Sequence, residues 1–421
     1  MIWLGGHMSI LAKHSLNKVD KSNIITLAKK AKEEKIKDNE VINATIGMLF
    51  DENEEFYVFD CVKKAESKIN DIDKYQYTNS VGTAKFIDGV IDWVFLEHSD
   101  FFRKEMHAKL IATPGGSGAI SNTFSNYLNP GEKVLLPSYM WSNYKQVAYE
   151  NFLGFETYNL FKNNKLDLDS IKEKFIEMKY SQGRILFVLN DPCHNPTGYS
   201  MNHEEWKRLV EIINELTADN TPFIFLYDMA YIDYNRFGLQ DSRLNIRLFG
   251  NLNPSVLTIL AFSGSKTLGL YGLRIGAMIG ISKDEQNVVD FMNANQFSAR
   301  TKYSMASTLG MNLIGEIFTN SEYRESFVRE LDSVRKMLIK RADAFLESSK
   351  EIGLEMCPFV CGYFITIPCE NDFKVYEYLT KKKIHVIPLG NALRVTLASI
   401  NLEHARLLPF EIYKAIQEVN K

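Results

Sequence analysis

The chain has 421 residues, of which 45% are hydrophobic and 24% are charged, so it can bury a large core and divide into about two domains. The formal net charge of -3 shows no basic excess, which argues against nucleic acid or an anionic membrane surface as a partner. No apolar run approaches the roughly 20 residues of a membrane span. Five cysteines, an odd number, fit free thiols in a reducing compartment, so we expect a cytoplasmic protein that acts on small metabolites.

At the start of the chain we expect no signal peptide. Met1 to Gly6 is too short for the apolar region of a signal peptide, and Gly6-His7-Met8 resembles a cloning scar, so we expect the natural chain to begin at Met8. A charged, apolar-periodic segment then predicts a helix over 23–37. An apolar strand over 41–46 follows and reaches Gly47, where a turn is expected.

The next two predicted helices each follow a turn with a distinctive sequence. The loop 75–82 contains Tyr77 and leads into a helix over about 83–97. Thr113-Pro114-Gly115-Gly116-Ser117-Gly118-Ala119 opens a helix that runs to about residue 128. Backbone amides freed by two glycines at a helix N-terminus, with the Ser117 hydroxyl beside them, favour an anion such as a phosphate. The spacing is neither G-x-G-x-x-G nor G-K-S/T, which disfavours a nucleotide.

Polar residues follow the apolar runs that are typical of buried strands in a parallel sheet. These runs lie at 133–137, 184–190, 222–227 and 256–262. Trp141 comes shortly after the first run, and Asn195, in an Asn-Pro-Thr-Gly turn, after the second. Asp228 stands at the end of the third run, with Tyr231 three residues later. Because ligands gather at the carboxyl ends of strands in a doubly wound sheet, this edge is the predicted binding site.

Lys266 lies just after the fourth run, in Ser263-Gly264-Ser265-Lys266-Thr267-Leu268-Gly269-Leu270-Tyr271-Gly272-Leu273-Arg274. Desolvation and a nearby cation both lower the pKa of an amine, so more of it is neutral and able to form an imine with an aldehyde. The small neighbouring residues let a bulky ligand approach the backbone. A lysine in a glycine-rich loop with no special chemistry is the alternative.

The last third of the chain predicts two helices and a smaller α+β unit. A helix over 285–295 precedes Arg300, and a long charged helix over 321–349 leads into the second unit. That unit alternates short strands and helices over 362–367, 372–381, 385–388, 392–397 and 402–419. Arg394 interrupts the apolar strand 392–397, and a buried charge needs an anionic partner. The partner is either a structural Asp or Glu or an anionic ligand.

Taken together, these segments resemble the fold-type I pyridoxal-phosphate aminotransferases, most closely their aspartate and aromatic amino acid branch. The matching segments span the chain from Gly47 to Arg394 in family order. One departure is Gly264, where the family usually has a larger residue. The resemblance implies an α/β fold with a large domain that contains a mostly parallel sheet flanked by helices, over 50–320. A smaller α+β domain would be built from both chain ends, 8–49 and 321–421.

The resemblance also implies how pyridoxal 5'-phosphate is bound. Gly116, Ser117, Ser263 and Arg274 would hold its phosphate, together with Tyr77 of the other subunit of a homodimer.

The cofactor ring would lie among five further side chains. Lys266 would carry the cofactor covalently, Asp228 would face the ring nitrogen, and Trp141 would stack on the ring. Asn195 and Tyr231 would hydrogen-bond its phenolic oxygen.

Substrate binding follows from the same resemblance. Arg394 would bind the α-carboxylate of an amino acid, with the backbone of Gly47, the ring of Trp141 and the side chain of Asn195 beside it. Arg300 of the partner subunit would bind the distal carboxylate of a dicarboxylic substrate, because a guanidinium matches a carboxylate with two hydrogen bonds. The implied reaction moves an amino group from aspartate or an aromatic amino acid to a 2-oxo acid such as 2-oxoglutarate, with Lys266, Asp228 and Tyr231 as its catalytic residues.

Other functions stay open at this point. The same scaffold supports lyase or decarboxylase chemistry, and a cofactor-binding regulatory module or a nucleotide-dependent enzyme are further alternatives. Cys193 and His194 lack a second ligand pair of suitable spacing, so we expect no metal site.

Overall fold

The computed structural model describes residues 10–16, 18 and 24–421, so the expected start at Met8 lies outside the described residues. The α-helices are α1 (Ile24–Lys37), α2 (Asp60–Lys68), α3 (Asp71–Tyr75), α4 (Ala84–Phe95), α5 (Ser99–Glu105), α6 (Gly115–Tyr127), α7 (Asn143–Glu150), α8 (Leu168–Gln182), α9 (His203–Leu216), α10 (Leu239–Arg243), α11 (Gly264–Thr267), α12 (Glu285–Lys302), α13 (Thr308–Thr319), α14 (Ser321–Ile352), α15 (Asp372–Thr380) and α16 (Leu402–Val419). The strands are β1 (Ile42–Asn43), β2 (Lys109–Thr113), β3 (Lys133–Pro137), β4 (Gly154–Tyr158), β5 (Phe161–Lys162), β6 (Lys165–Leu166), β7 (Ile185–Asn190), β8 (Phe223–Asp228), β9 (Val256–Ser263), β10 (Gly276–Ile281), β11 (Phe364–Pro368), β12 (Ile384–His385), β13 (Ile387–Pro388) and β14 (Ala392–Thr396).

The central sheet is mostly parallel. Within the described residues it has seven strands in the order β2-β10-β9-β8-β7-β3-β4. Strands β9, β8, β7, β3 and β4 run parallel, whereas β10 is antiparallel to both of its neighbours. Strands β7, β8 and β9 are buried along their whole length, which is why their sequences are continuous apolar runs.

Helices cover both faces of this sheet. Along β7, Phe187 belongs to the apolar cluster on one face, and its neighbour Val188 belongs to the cluster on the other. Trp206 of α9 packs on the first side and Phe124 of α6 on the second. The predicted α/β architecture is confirmed.

The two ends of the chain share a smaller apolar cluster. Ile42 from the first part of the chain packs there with Phe345 of α14, Val375 of α15 and Leu408 of α16. A three-stranded sheet in the order β11-β14-β13 and the parallel pair β1 and β12 accompany this cluster within the described residues. This distribution supports the division into 50–320 and 8–49 with 321–421, whose boundaries stay a prediction.

Helix α12 is longer than its apolar pattern predicts. It ends at Lys302 rather than near Asn295, so Arg300 lies on the last helical turn and not in a loop. The reason is that Asn295 and Ser298 belong to its buried side, where both make hydrogen bonds to Asn126. Polar residues on the buried side of a helix interrupt its apolar periodicity, so the sequence pattern predicts too early an end for the helix.

The five cysteines are free, as predicted, and the structure shows that each is buried. No helix in the described part of the chain combines the length and the apolar character needed to cross a membrane.

Candidate active site

A cavity of about 470 Å³ opens at the carboxyl edge of the central sheet, a volume typical of ligand-binding clefts. It brings together most of the predicted site residues, namely Gly47, Gly116, Ser117, Trp141, Asn195, Asp228, Tyr231, Ser263, Lys266, Arg274 and Arg394. The sheet register explains this convergence. Asn190 at the end of β7 pairs with Asp228 at the end of β8, and Asp228 pairs with Ala261 near the end of β9.

Lys266 lies at the centre of the cavity, on the single turn of α11 that follows β9. Its Nζ donates to the backbone oxygen of Gly47 at 2.5 Å and lies 5.3 Å from the ring centroid of Tyr231. Burial is the main cause that lowers the pKa of this amine to about 7, and the positive charges of Arg394 and Arg274 lower it further. A good part of the amine is therefore neutral near neutral pH.

One end of the cavity is suited to an anion. The first turn of α6 begins at Gly115, and the guanidinium of Arg274 lies beside it, with its Nη1 donating to Ser265 Oγ at 3.1 Å. Gly115 has φ +69°, and a Cβ at this position would lie 2.8 Å from Arg274 Nη2. Ser117 and Ser263 line the same end. No carboxylate among the described residues forms an ion pair with Arg274, so its charge is available to a ligand.

Three backbone segments meet closely behind this end. A Cβ on Gly276, at the start of β10, would lie 2.5 Å from Phe262 O and 2.6 Å from Gly115 C. A Cβ on Gly264 would lie 2.6 Å from Ile314 Cδ1. A Cβ there would also lie 3.0 Å from Ile275 O, so the departure at Gly264 from the resembled family falls at a position with little space for a side chain.

Asp228 is a buried carboxylate that forms no ion pair with any of the described residues. The hydroxyl of Tyr144 donates to its Oδ2, and the backbone amide of Ala230 donates to its Oδ1 at 3.1 Å. Burial raises the pKa of this carboxyl, while the two hydrogen bonds and the charge of Lys266 oppose the rise. A ligand cation or a protonated ring nitrogen would stabilise its charged form.

Asn195 is held at the cavity wall by its backbone. Its amide donates to Asn190 Oδ1 at 2.7 Å, and the side chain of Asn190 in turn donates to Asp228 O at 2.8 Å. The side-chain oxygen of Asn195 is buried and has no partner. The hydroxyl of Tyr231 is close enough to the Asn195 side chain for a hydrogen bond, and burial raises its pKa. The pair presents polar atoms to the same part of the cavity.

Arg394 occupies the other end of the cavity, in β14 of the small sheet. It is 8% exposed, and its Nη2 donates to Thr45 O at 2.9 Å. Its Cζ lies 4.7 Å from the ring centroid of Phe364, its Nε has no partner, and burial lowers its pKa to about 10. No Asp or Glu in the described chain forms an ion pair with it, which disfavours the structural-partner alternative and leaves a buried cation suited to a ligand carboxylate.

Two predicted site residues lie outside the cavity. Tyr77 is 88% exposed, and Arg300 is exposed and donates from Nη1 to Ser304 Oγ at 2.8 Å. Within one chain, neither residue reaches the site.

The cavity also contains residues to which the sequence predicted no role. Tyr271, within the quoted lysine segment, accepts from Leu49 N at 3.0 Å through its hydroxyl and lies near the Lys266 amine. Ile24, Ile25 and Ala28 of α1 form an apolar wall of the cavity. The apolar spacing of α1 was a visible signal for this wall, but only the tertiary fold tells which surface it covers.

The comparisons with known proteins agree with this geometry. The model of the family described as "Aminotransferase class I and II" matches residues 39–408. The aspartate aminotransferase of Escherichia coli is 26% identical over 353 residues, which cover 82% of this chain and 83% of that protein. The aromatic-amino-acid aminotransferase of Paracoccus denitrificans is 28% identical over 247 residues, 57% of this chain and 59% of that protein. A crystal structure of an aminotransferase from Anaerococcus prevotii has a TM-score of 0.92 at 28% identity and covers 97% of this chain and 100% of its own.

The fold and the family match define an enzyme that depends on pyridoxal phosphate. The chain belongs to the class I and II aminotransferase family, and it is a transaminase that uses an amino acid and a 2-oxo acid.

The residues of the cavity fit this cofactor. An aldehyde, a phosphate and a basic ring nitrogen each meet a matching group, namely the amine of Lys266, the anion end at Arg274 and the buried carboxylate of Asp228. The unpartnered oxygen of Asn195 offers a further polar contact.

Proposed function

We propose that this aminotransferase moves the amino group of aspartate or an aromatic L-amino acid to a 2-oxo acid such as 2-oxoglutarate, and that it works as a cytoplasmic homodimer. One observation carries the proposal: an amine of lowered pKa, that of Lys266, lies in one cavity with two arginines, Arg274 and Arg394, that have no carboxylate partner in the described chain. The names of the relatives from Escherichia coli and Paracoccus denitrificans support the two substrate classes. The buried free thiols support a reducing compartment.

The phosphate of the cofactor would be held by the first amides of α6 at Gly116 and Ser117, by the hydroxyl of Ser263 and by the guanidinium of Arg274. A helix N-terminus and a guanidinium together match a phosphate in both charge and hydrogen-bond geometry. Tyr77 of a second subunit would complete this end. Its exposure of 88% leaves it free to contact a partner.

The ring would lie between Trp141 and the sheet edge, with Asp228 at its nitrogen and with Asn195 and Tyr231 at its phenolic oxygen. When bound, the cofactor supplies a ring that accepts electrons from the α-carbon of the substrate. Tyr144 keeps the carboxylate of Asp228 oriented through its hydroxyl.

Lys266 is the proposed acid and base. Its Nζ would accept the proton from the α-carbon of the amino acid. It would later donate a proton to complete the transfer of the amino group. A base is most effective when its pKa lies near the working pH, and the pKa of this amine is lowered to about 7. Gly47 O, which accepts a hydrogen bond from Nζ, fixes the direction of the amine.

Arg394 would bind the α-carboxylate of the substrate. Its free Nε and its Nη groups can donate two parallel hydrogen bonds to a carboxylate. The apolar wall of α1, made of Ile24, Ile25 and Ala28, suits an aromatic substrate side chain. Arg300 of the partner subunit would receive the distal carboxylate of aspartate.

The substrate assignment is tested by transamination assays with aspartate, phenylalanine and alanine against 2-oxoglutarate, in which both products are measured. We expect Arg300→Ala to raise KM for aspartate about tenfold or more and to leave phenylalanine within about twofold, because only aspartate has a second carboxylate. Arg329→Ala, which removes an exposed arginine on α14, is the control. Equal losses for both substrates contradict the dicarboxylate role of Arg300.

Mixed dimers test the homodimer and the origin of Arg300 together. A Lys266→Ala subunit combined with an Arg300→Ala subunit has one complete site if Arg300 acts across the interface. Random mixing then restores about a quarter of the wild-type activity with aspartate, because half of the dimers are mixed and each has one active site. If Arg300 serves its own subunit, mixing restores nothing.

A further inference from the structure

A buried polar cluster lies behind the turn that carries Lys266, on the side away from the cavity. Asp233 is its centre and is 1% exposed. Its Oδ1 accepts from Arg243 Nη2 at 2.5 Å, and the indole of Trp93 donates to its two oxygens at 3.2 and 3.3 Å. Its Oδ2 accepts from the hydroxyl of Thr267, the residue after Lys266, at 2.6 Å.

Burial of this charged cluster costs desolvation free energy, which suggests a role other than stabilising the fold. Arg243 is 1% exposed, and a buried ion pair seldom stabilises a fold more than apolar residues of similar size. Arg243 donates further to Ser242 Oγ at 2.8 Å and to Ile232 O at 3.4 Å, so both charges are held firmly in place. The carboxylate of Asp233 is thus a fixed acceptor.

The lysine turn depends on such contacts for its position. Helix α11 has four residues, which is far too short for a helix to be stable without tertiary support. Asp233 holds Thr267 through its hydroxyl, and Tyr234 donates from its hydroxyl to Lys266 O at 2.7 Å. Both anchors come from the 3-10 helix Ile232–Tyr234, which directly follows Tyr231.

The short segment 231–234 therefore contacts the lysine turn from two sides. Tyr231 lines the cavity with its ring 5.3 Å from Nζ, while Asp233 and Tyr234 hold the backbone from behind. The opposite charges of Asp233 and Arg243 lie so close that their fields largely cancel at the amine. The cluster therefore affects where the amine lies and has little effect on its protonation.

We propose that Asp233 is a positioning residue for Lys266: fixed by Arg243 and Trp93, it holds the Thr267 hydroxyl and so sets where the reactive amine stands in the cavity. This role rests on the proposed function of Lys266. A displacement of about 1 Å at a reacting group can cost as much as 10²-fold in rate.

The test uses Thr267→Val, which removes the hydroxyl at nearly constant volume and leaves the contacts of Asp233 with Arg243 and Trp93. The full-length, cofactor-free protein is mixed with pyridoxal phosphate and reduced with borohydride, and mass spectrometry follows the labelling of Lys266 over time and pH. We expect Thr267→Val to slow the labelling roughly tenfold with little change in its pH midpoint, because position changes and charge does not. In the loaded enzyme we expect kcat to fall with KM nearly constant.

Two further variants separate positioning from a general loss of structure. Thr267→Ser keeps the hydroxyl and should restore at least half of the labelling rate. Thr217→Val removes another buried threonine hydroxyl, which lies far from Lys266 in the sequence and donates to Ile213 O at 2.8 Å. This variant should label as fast as wild type. Thermal unfolding of each variant measures the purely structural effect.

Labelling of Thr267→Val at the wild-type rate, even with a lower unfolding temperature, overturns the positioning role. The role is equally wrong if Thr267→Ser labels as slowly as Thr267→Val. Failure of the unmodified protein to label at Lys266 removes the proposed function itself, which is a different result from a normal wild type with an unaffected variant.

Discussion

The two ends of the cavity each present one arginine, and their surroundings differ. Arg274 is exposed and stands beside the first turn of α6, among backbone amides and serine hydroxyls of the large sheet. Arg394 is 8% exposed, lies in β14 of the small sheet and is held by the Thr45 carbonyl and the Phe364 ring. The first end suits a group that stays bound through catalysis. The second, carried by a separate sheet, suits a carboxylate that enters and leaves at every turnover.

Removal of the amine that lies between the two ends should have the largest effect on turnover. We expect Lys266→Ala to lower turnover by about 10⁴-fold, because the α-proton loses the base that we propose accepts it. Steady-state assays with saturating cofactor measure this loss. Lys336→Ala, an exposed lysine of α14 paired with Asp332, is the control and should stay within about twofold. Substantial turnover in Lys266→Ala would mean that neither end serves the proposed reaction.

The second test concerns the buried end alone. Arg394→Lys keeps a positive charge and loses the planar pair of donors, so KM for the amino acid should rise about 10²-fold while cofactor affinity changes little. Initial rates over a range of amino acid concentrations give KM, and absorbance titration gives the cofactor Kd. A loss of cofactor affinity without a change in KM would reverse the roles assigned to the two ends.

The matched test at the exposed end has the opposite expectation. Arg274→Lys should raise the cofactor Kd about tenfold, since a guanidinium binds a phosphate with two hydrogen bonds and an ammonium does not. The backbone amides at Gly116 and Ser117 stay in place, which keeps the loss moderate. At saturating cofactor, KM for the amino acid should be close to wild type, and a large rise in KM contradicts this assignment.

The smallest expected effect is on the pKa of Lys266, which the positive charge at each end lowers. The pKa of its amine is lowered to about 7, with Arg394 acting more strongly than Arg274. Labelling by an aldehyde needs the neutral amine, so its rate in the cofactor-free protein should rise through about pH 7 and then level off. Removing a cation lets the amine hold its proton to higher pH. Arg394→Met should therefore move the midpoint upward, and Arg274→Met should move it upward by less.

Much of the site could be predicted because its residues stand next to strand ends in the sequence. Asp228 and Lys266 each stand at or just after the end of a continuous apolar run. The glycines and the serine at the start of the helix at Gly115 predict an anion site. The register of a parallel sheet then brings these points to one edge. The local signals were sufficient there because each residue follows directly on a strongly patterned element.

The contacts that were not predicted join residues far apart in the chain. Tyr144 and Asp228 are separated by 84 positions, and nothing near Tyr144 shows that its hydroxyl will meet a carboxylate. The same holds for Asp233 and Thr267, which are 34 positions apart. Such pairs are fixed by how helices pack on the sheet, and one sequence contains no record of that packing.

Gly276 shows where this protein has no freedom to vary. Any larger side chain there would push apart the strand that leads to Lys266 and the first turn of α6, since its Cβ would meet both Phe262 O and Gly115 C. The strand that leads to Lys266 and the first turn of α6 are in this way packed closely against the same glycine. New substrate preferences in descendants of this chain should therefore arise from changes in α1 and the small sheet, while position 276 remains fixed.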